Sequence, residues 1–451
     1  MPDTSAAPAL PLDRASLEST ALRALELARA RGASDAEAEA SASVGQSVTV
    51  RLGEVETVEY NRDKALAITV YFGKRRGNAS TSDLSPESIG RTVEAACAIA
   101  RHTALDEAAG LPDPRRLYRG EAPDLDLCHP WNLPVDSAIA LARETEDAAR
   151  AVDARITNSE GATVSSSDVD FVFANSLGFV GGFPSSRASI ACGVLASEAA
   201  AMQRDYWYSS ERDPARLETA AAVGRRAGER AVRRLGARRV STADVPVLFE
   251  ANIAGSLIGH FVAAASGSSL YRRSSFLVDA AGEPVFSPIV NLDEQPHRPG
   301  AMSSGWFDGE GVATSARRVI DAGILTGYFL STYSARKLGL ETSGNAGGSH
   351  NLVLQPGQDD FAALVRRMGR GLVVTELMGQ GVNPVNGDYS RGAVGFWVEG
   401  GEIRYPVEEV TIAGGLREMY RGIVAVGRDV LVRGAKSTGS ILVERMTVAG
   451  H

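Results

Sequence analysis

The sequence predicts an α+β protein: two units that each join helices to an antiparallel sheet, followed by a larger, glycine-rich C-terminal domain built on a mixed sheet. Three observations carry this prediction. Stretches with apolar residues every three or four positions alternate with stretches of period two, so both helices and strands are encoded. No regular strand-helix-strand series runs along the chain, which argues against a doubly wound parallel sheet. Glycine, 47 residues in all, gathers in the second half at turns and strand breaks. At 451 residues and 44% hydrophobic content, the chain can bury a large core divided among about two to four domains.

Residues 1–15, rich in Ala, Pro and Ser, are expected as a disordered lead. From Leu17 to Arg31 apolar residues recur at helical spacing and Gly32 supplies the stop. Ser43 to Tyr71 alternates in Val, Thr, Tyr and Ile, with polar breaks at Leu52-Gly53 and Asn61-Arg62-Asp63, which predicts two or three antiparallel strands. Ser85-Pro86 reads as N-cap and first helical residue, because the missing proline N–H costs nothing there. That helix runs to about His102 and closes a first unit, residues 16–110. A stretch of Pro, Asp and Leu without periodicity, Leu111 to Trp131, then forms a linker and opens a second unit, residues 111–239. The second unit holds a helix over Pro134 to Ala154, a glycine-punctuated meander over Ile156 to Gln203, and a helix from Asp213 to about Gly236. Seven arginines fall between Arg225 and Arg239; in an acidic chain such a run reads as a solvated or interface face rather than a nucleic-acid footprint. The third unit, residues 240–451, opens with a helix near Ile253 to Ala265. It continues as short strands bent at Gly-Glu-Pro, Asp-Gly-Glu-Gly and Asp-Ala-Gly-Ile-Leu turns, with Gly347-Gly348 and Gly400-Gly401 in further turns.

Charge and composition narrow the function. A net charge of -8 argues against general affinity for nucleic acid or an anionic membrane. No window approaches the ~20 apolar residues of a membrane span, and the N-terminal acids and prolines do not make a signal peptide. The three cysteines, Cys97, Cys128 and Cys192, match no disulfide or metal spacing, so a cytoplasmic, reducing location is expected.

The chemistry-bearing candidates lie in the third unit. His260, on a helix with Leu257, Ile258, Phe261 and Val262, reads as a core or interface residue. His297 and His350 with Glu294 offer an alternative metal site, although nothing in the sequence fixes their mutual geometry. GNAGGSHN and GQGVN have neither the Walker order nor a dinucleotide fingerprint. Asn345, Gly347 and Gly348 read instead as backbone geometry suited to close approach of an extended chain. Ser390 is not flanked as a nucleophile elbow. Asp388, Tyr389 and Arg391 form a polar cluster within an apolar strand, either a hydrogen-bond network or a contact with substrate or partner.

Several long strings in this unit, SSLYRRSSFL (Ser268 to Leu277), FDGEG (Phe307 to Gly311), YSARKLGLETSGNAGGSHN (Tyr333 to Asn351), VTELMGQGVN (Val374 to Asn383), GDYSRGAVGFWVEGGEI (Gly387 to Ile403) and YPVEEVTIAG (Tyr405 to Gly414), are similar in order and spacing to the PmbA/TldE branch of the TldD/PmbA peptidase family. In the TldD branch of that family, two helical histidines five positions apart and a later cysteine bind zinc, and the glutamate after the first histidine activates water. Carried onto this chain, the first histidine falls on Gly255, the glutamate on Ser256 and the second histidine on His260. The cysteine region reads VRGAKSTGS (Val432 to Ser440), and no cysteine follows Cys192. The resemblance implies a chain with no catalytic residue and no metal of its own, working with a TldD-like, HExxxH-bearing subunit that carries the zinc (Zn). It also implies an internal cavity for small or unfolded extended peptides, such as modified-peptide precursors or labile antitoxins. Two alternatives stand beside it: an autonomous metallopeptidase using His260, His297 or His350, and a regulatory binding protein.

Overall fold

Asp13 opens the first helix, its carboxylate accepting from the Ser16 N–H at 2.8 Å, as an N-cap aspartate does. The helix therefore begins before residue 15, and residues 1–9 of the expected lead lie outside the described residues. The computed structural model describes residues 10–199 and 201–450, which fall into two compact units.

The first unit is built on α1 (Arg14–Ala30), β1 (Asp35–Arg51), β2 (Glu54–Phe72), β3 (Arg75–Thr81), α2 (Pro86–His102), α3 (Val135–Arg150), β4 (Ile156–Asn175), β5 (Val180–Gly181), β6 (Ser185–Glu198), β7 (Ala201–Glu211) and α4 (Ala220–Arg233). Ser85 caps α2 and Pro86 is its first residue, as the sequence predicts. One face of β1 presents Ala36, Ala38, Ala40 and Ala42, all buried with Leu17, Ala21, Ala24 and Ala28 of α1. Small side chains on both surfaces let helix and sheet approach closely, so the core gains contacts from backbone proximity rather than from bulk.

The hairpin turn falls at Leu52-Gly53, both with positive φ (54° and 83°), which suits the right-handed twist of the flanking strands. No break occurs at Asn61-Arg62-Asp63. These residues pair through to Gly45, Val44 and Ser43, because a solvent-facing strand tolerates polar side chains while its backbone ladder is intact. The other edge of β1 pairs with β4 in antiparallel register, Glu37 opposite Asn175 through Val50 opposite Ala162. The resulting 7-stranded sheet, order β3-β2-β1-β4-β6-β7 with β5 on β4, runs across the position where the sequence suggests a boundary at residues 110 and 111. α4 starts at Ala220 rather than at Asp213, since Pro214–Arg216 is a separate 3-10 turn. Its arginines are largely engaged: Arg230 pairs with Asp205 at 3.1 Å, and the Arg226 and Arg230 guanidinium groups lie over the Trp207 ring.

The second unit contains β8 (Ala243–Phe249), α5 (Ala251–Ala264), α6 (Gly267–Tyr271), β9 (Leu292–Glu294), β10 (Arg317–Asp321), β11 (Ile324–Leu325), α7 (Thr332–Leu338), β12 (Leu352–Leu354), α8 (Phe361–Met368), β13 (Gly371–Met378), β14 (Asp388–Glu399), β15 (Glu402–Gly415), α9 (Leu416–Arg421), β16 (Ile423–Val426), β17 (Leu431–Arg433), β18 (Lys436–Thr438) and β19 (Ile441–Ala449). The predicted mixed sheet is present, with β8 parallel to β13 and antiparallel to β19. Because β19 also pairs with β15, over Thr411 to Ala413, the order β8-β13-β14-β15-β19 returns on itself. A second sheet runs β11-β10-β9-β12-β18-β17. Among the described residues no helix is long and apolar enough to cross a membrane.

Candidate functional site

α5 leaves β8 directly, and its first N–H, that of Ala251, donates to Ser440 Oγ at 3.0 Å, which is in turn held by Asp429 at 2.6 Å. This fixes the helix start relative to the β18–β19 connection. Leu257, Ile258 and Phe261 face the core, while Gly255, Ser256, Gly259 and His260 lie on the half-buried remainder. A Cβ at Gly255 would sit 3.6 Å from the Lys436 Cβ, and one at Gly259 would sit 3.6 Å from the Lys436 Cε. The lysine stem therefore lies along the glycine face of α5: its Cβ and Cδ stand against Gly255, where the carried-over pattern asks for a histidine ligand, and its ammonium lies one turn on, 3.9 Å from where a Gly259 Cβ would be.

β14 supplies the opposite wall. The Tyr389 ring meets the His260 ring edge to face, centroids 5.9 Å apart and planes at 76°. Along a strand, successive side chains point to opposite faces, so Tyr389 and Arg391 share one face and Asp388 takes the other. Asp388 is exposed and accepts from Asn386 Nδ2 at 2.6 Å. The triplet read as one cluster thus divides, and only Tyr389 and Arg391 join His260. Burial pushes the His260 pKa down, and the Arg391 and Lys436 charges add to that, so the imidazole is neutral at neutral pH. Burial pushes the Tyr389 hydroxyl up to about 12, with Arg391 pulling the other way. Ser256 Oγ, His260 Nε2, Tyr389 Oη and Arg391 Nε are all buried and make no hydrogen bond of normal geometry.

A second polar group surrounds Glu294, which is 1% exposed. Its carboxylate accepts from Arg317 Nε at 2.7 Å, Asn345 Nδ2 at 2.8 Å and the His350 N–H at 2.8 Å. Asn345 is therefore a fixed member of a buried network, while Gly347 and Gly348 form an exposed turn at φ 102° and 121°, conformations that call for glycine. Burial lowers the His297 pKa, with His350 as the secondary cause. The ring nitrogens of His350 lie 3.2 Å from the Ser303 carbonyl and 3.0 Å from that of Gly344, which orients the ring within the loop.

Zinc wants three or four soft or imidazole donors converging on one point. Gly255 has no side-chain donor, Ser256 is not a general base, His260 offers one nitrogen and Lys436 brings a positive charge, so these residues do not fit the ion. Among the described residues no three His, Cys, Asp or Glu side chains converge as a metal group. Lys436 is the residue that sequence reasoning passed over. It lay in view within VRGAKSTGS, but a search for a missing cysteine does not register a gained lysine.

Three family models cover most of the chain: PmbA/TldA metallopeptidase domain 1 over residues 36–100, the central domain over 128–235 and the C-terminal domain over 242–450. The metalloprotease PmbA of Escherichia coli O157:H7 is 48% identical, with 96% of each chain covered. The chain belongs to the PmbA/TldD family, in its PmbA (TldE) branch. Among solved structures of this fold, a Bacteroides thetaiotaomicron protein described as a suggested modulator of DNA gyrase superposes with a TM-score of 0.91 at 28% identity, covering 96% of this chain and 99% of its own. TldE from Thermococcus kodakarensis superposes with a TM-score of 0.83 at 22% identity, over 94% of this chain and 99% of its own, and shows the same fold. A Haemophilus influenzae protein named metalloprotease TldD homolog is 26% identical over 197 residues, 40% of each chain.

Proposed function

We propose that this chain is the metal-free subunit of a two-chain peptidase, joined to a TldD-like partner whose HExxxH helix carries the zinc and activates water. One observation carries the reading: the α5 face that would hold the ion bears Gly255, Ser256 and a single histidine, with the Lys436 side chain lying against it. A protonated lysine and a zinc ion repel each other, so this geometry is consistent with a subunit that shapes a cavity and leaves hydrolysis to its partner. The substrates are small or unfolded extended peptides, among them modified-peptide precursors and labile antitoxins, admitted by access and by backbone pairing rather than by sequence. A cytoplasmic setting agrees with three free thiols, of which the buried Cys192 is pushed up to about 12 by burial and is inert.

Coexpression with a TldD-like chain tests this. The reading predicts a copurifying complex that cleaves an unfolded peptide, with cleavage abolished by substitution of the partner's HExxxH glutamate. Cleavage by this chain alone contradicts it.

A further inference from the structure

We propose that Ser256, His260, Tyr389, Arg391 and Lys436 form an anion-binding site that receives a carboxylate of an extended peptide. The site stands on three observations. First, Arg391 and Lys436 bring two basic side chains to the His260 face, and neither makes an ion pair among the described residues. Elsewhere in this acidic chain arginines meet carboxylates, as Arg230 does with Asp205 and Arg317 with Glu294. Second, four buried polar atoms that make no hydrogen bond of normal geometry, Ser256 Oγ, His260 Nε2, Tyr389 Oη and Arg391 Nε, come from these same residues, with Tyr389 and Arg391 near one another. Tyr389 is 1% exposed, so its hydroxyl is not satisfied by bulk solvent. Leaving such groups unpaired costs about 1–3 kcal/mol each, and the cost is recovered when a ligand accepts from them. Third, every one of these groups is a donor or can become one. The serine and tyrosine hydroxyls rotate, the guanidinium and ammonium donate, and a neutral imidazole can carry its proton on Nε2.

A constellation made only of donors and cations selects an acceptor with negative charge. The Lys436 stem runs over Gly255 and Gly259, which brings its ammonium to the His260 face of α5. A carboxylate and a phosphate share this chemistry. Assigning the anion to a peptide's terminal or side-chain carboxylate rests on the function proposed above; the anion site itself does not.

The test is calorimetry on the full-length chain without partner, using an acetylated alanine peptide with a free C-terminal carboxylate, the same peptide as its amide, and inorganic phosphate. The expected result is that the acid binds, that the amide and the Lys436→Met and Arg391→Gln variants bind at least ~10-fold more weakly, and that Lys436→Arg retains binding. The ring resonances of His260 should move on addition of the acid and not of the amide. Thermal unfolding of each variant shows that the fold is kept. Equal affinity for acid and amide, or undiminished binding in Lys436→Met, overturns the site. Tight phosphate binding with the acid ignored overturns the peptide assignment. Intact carboxylate binding in a chain that forms no active complex contradicts the proposed function and not the site, whereas an active complex whose chain binds no anion contradicts only the site.

Discussion

At Glu37, on β1, burial is the main cause that pushes the carboxyl up to about 7, and the negative charge of Glu310 adds to it against a smaller opposing pull from Arg76. The unfolded chain ionises this group near 4.5 while the native state keeps its proton, so native stability is complete below 4.5 and is lost as pH rises through about 7. Glu37→Gln removes that fall. It should raise stability at pH 8 by about 2 kcal/mol and change it little at pH 4, read by urea unfolding at the two pH values. The same scale shows what sequence alone conveys about the site. Gly255, Ser256 and His260 were legible as a degenerate motif because the motif is local. The grouping of Asp388 with Tyr389 and Arg391 was not, because only the pleat of β14 decides which side chains share a face, and the Lys436 stem reaches α5 from β18, well over a hundred residues later.

Individual elements carry two further predictions. Glu146 on α3 is fully buried, and its two oxygens accept from the Leu52 and Gly53 N–H groups at 2.8 Å each. The carboxylate thus pins the β1–β2 turn to a helix far away in sequence. Glu146→Ala strands both donors and should cost about 2–4 kcal/mol, with hydrogen exchange at Leu52 and Gly53 accelerated more than in the strands. Unchanged exchange at the turn would refute this role. Gly77 on β3 lies so close to α2 that a Cβ there would meet the Ala96 carbonyl at 2.3 Å and the Ala100 nitrogen at 2.4 Å. Gly77→Ala must displace the helix backbone and should destabilise by about 2–4 kcal/mol, measured by thermal unfolding. The α2 start was readable from Ser85-Pro86, since capping is chemistry between near neighbours. The length of β2 was not, since its polar stretch is held by pairing with β1.

Across the whole molecule, what the sequence did not convey is non-local pairing. The β1–β4 ladder joins residues more than a hundred positions apart and makes one sheet of two predicted units, and the return of β19 to β15 follows from no periodicity. The two compact units divide near Arg233, with Trp306–Thr314 counted in the first unit and Glu198–Ala201 in the second. Within the second unit, α5, β14 and β18 bring His260, Tyr389, Arg391 and Lys436 together, and the central claim, proposed above, is that this chain holds no zinc of its own. The measurement that tests it most directly is the metal content of the purified full-length chain, by plasma mass spectrometry after mild dialysis. The account predicts near-zero zinc per chain; about one tightly held zinc per chain would contradict it.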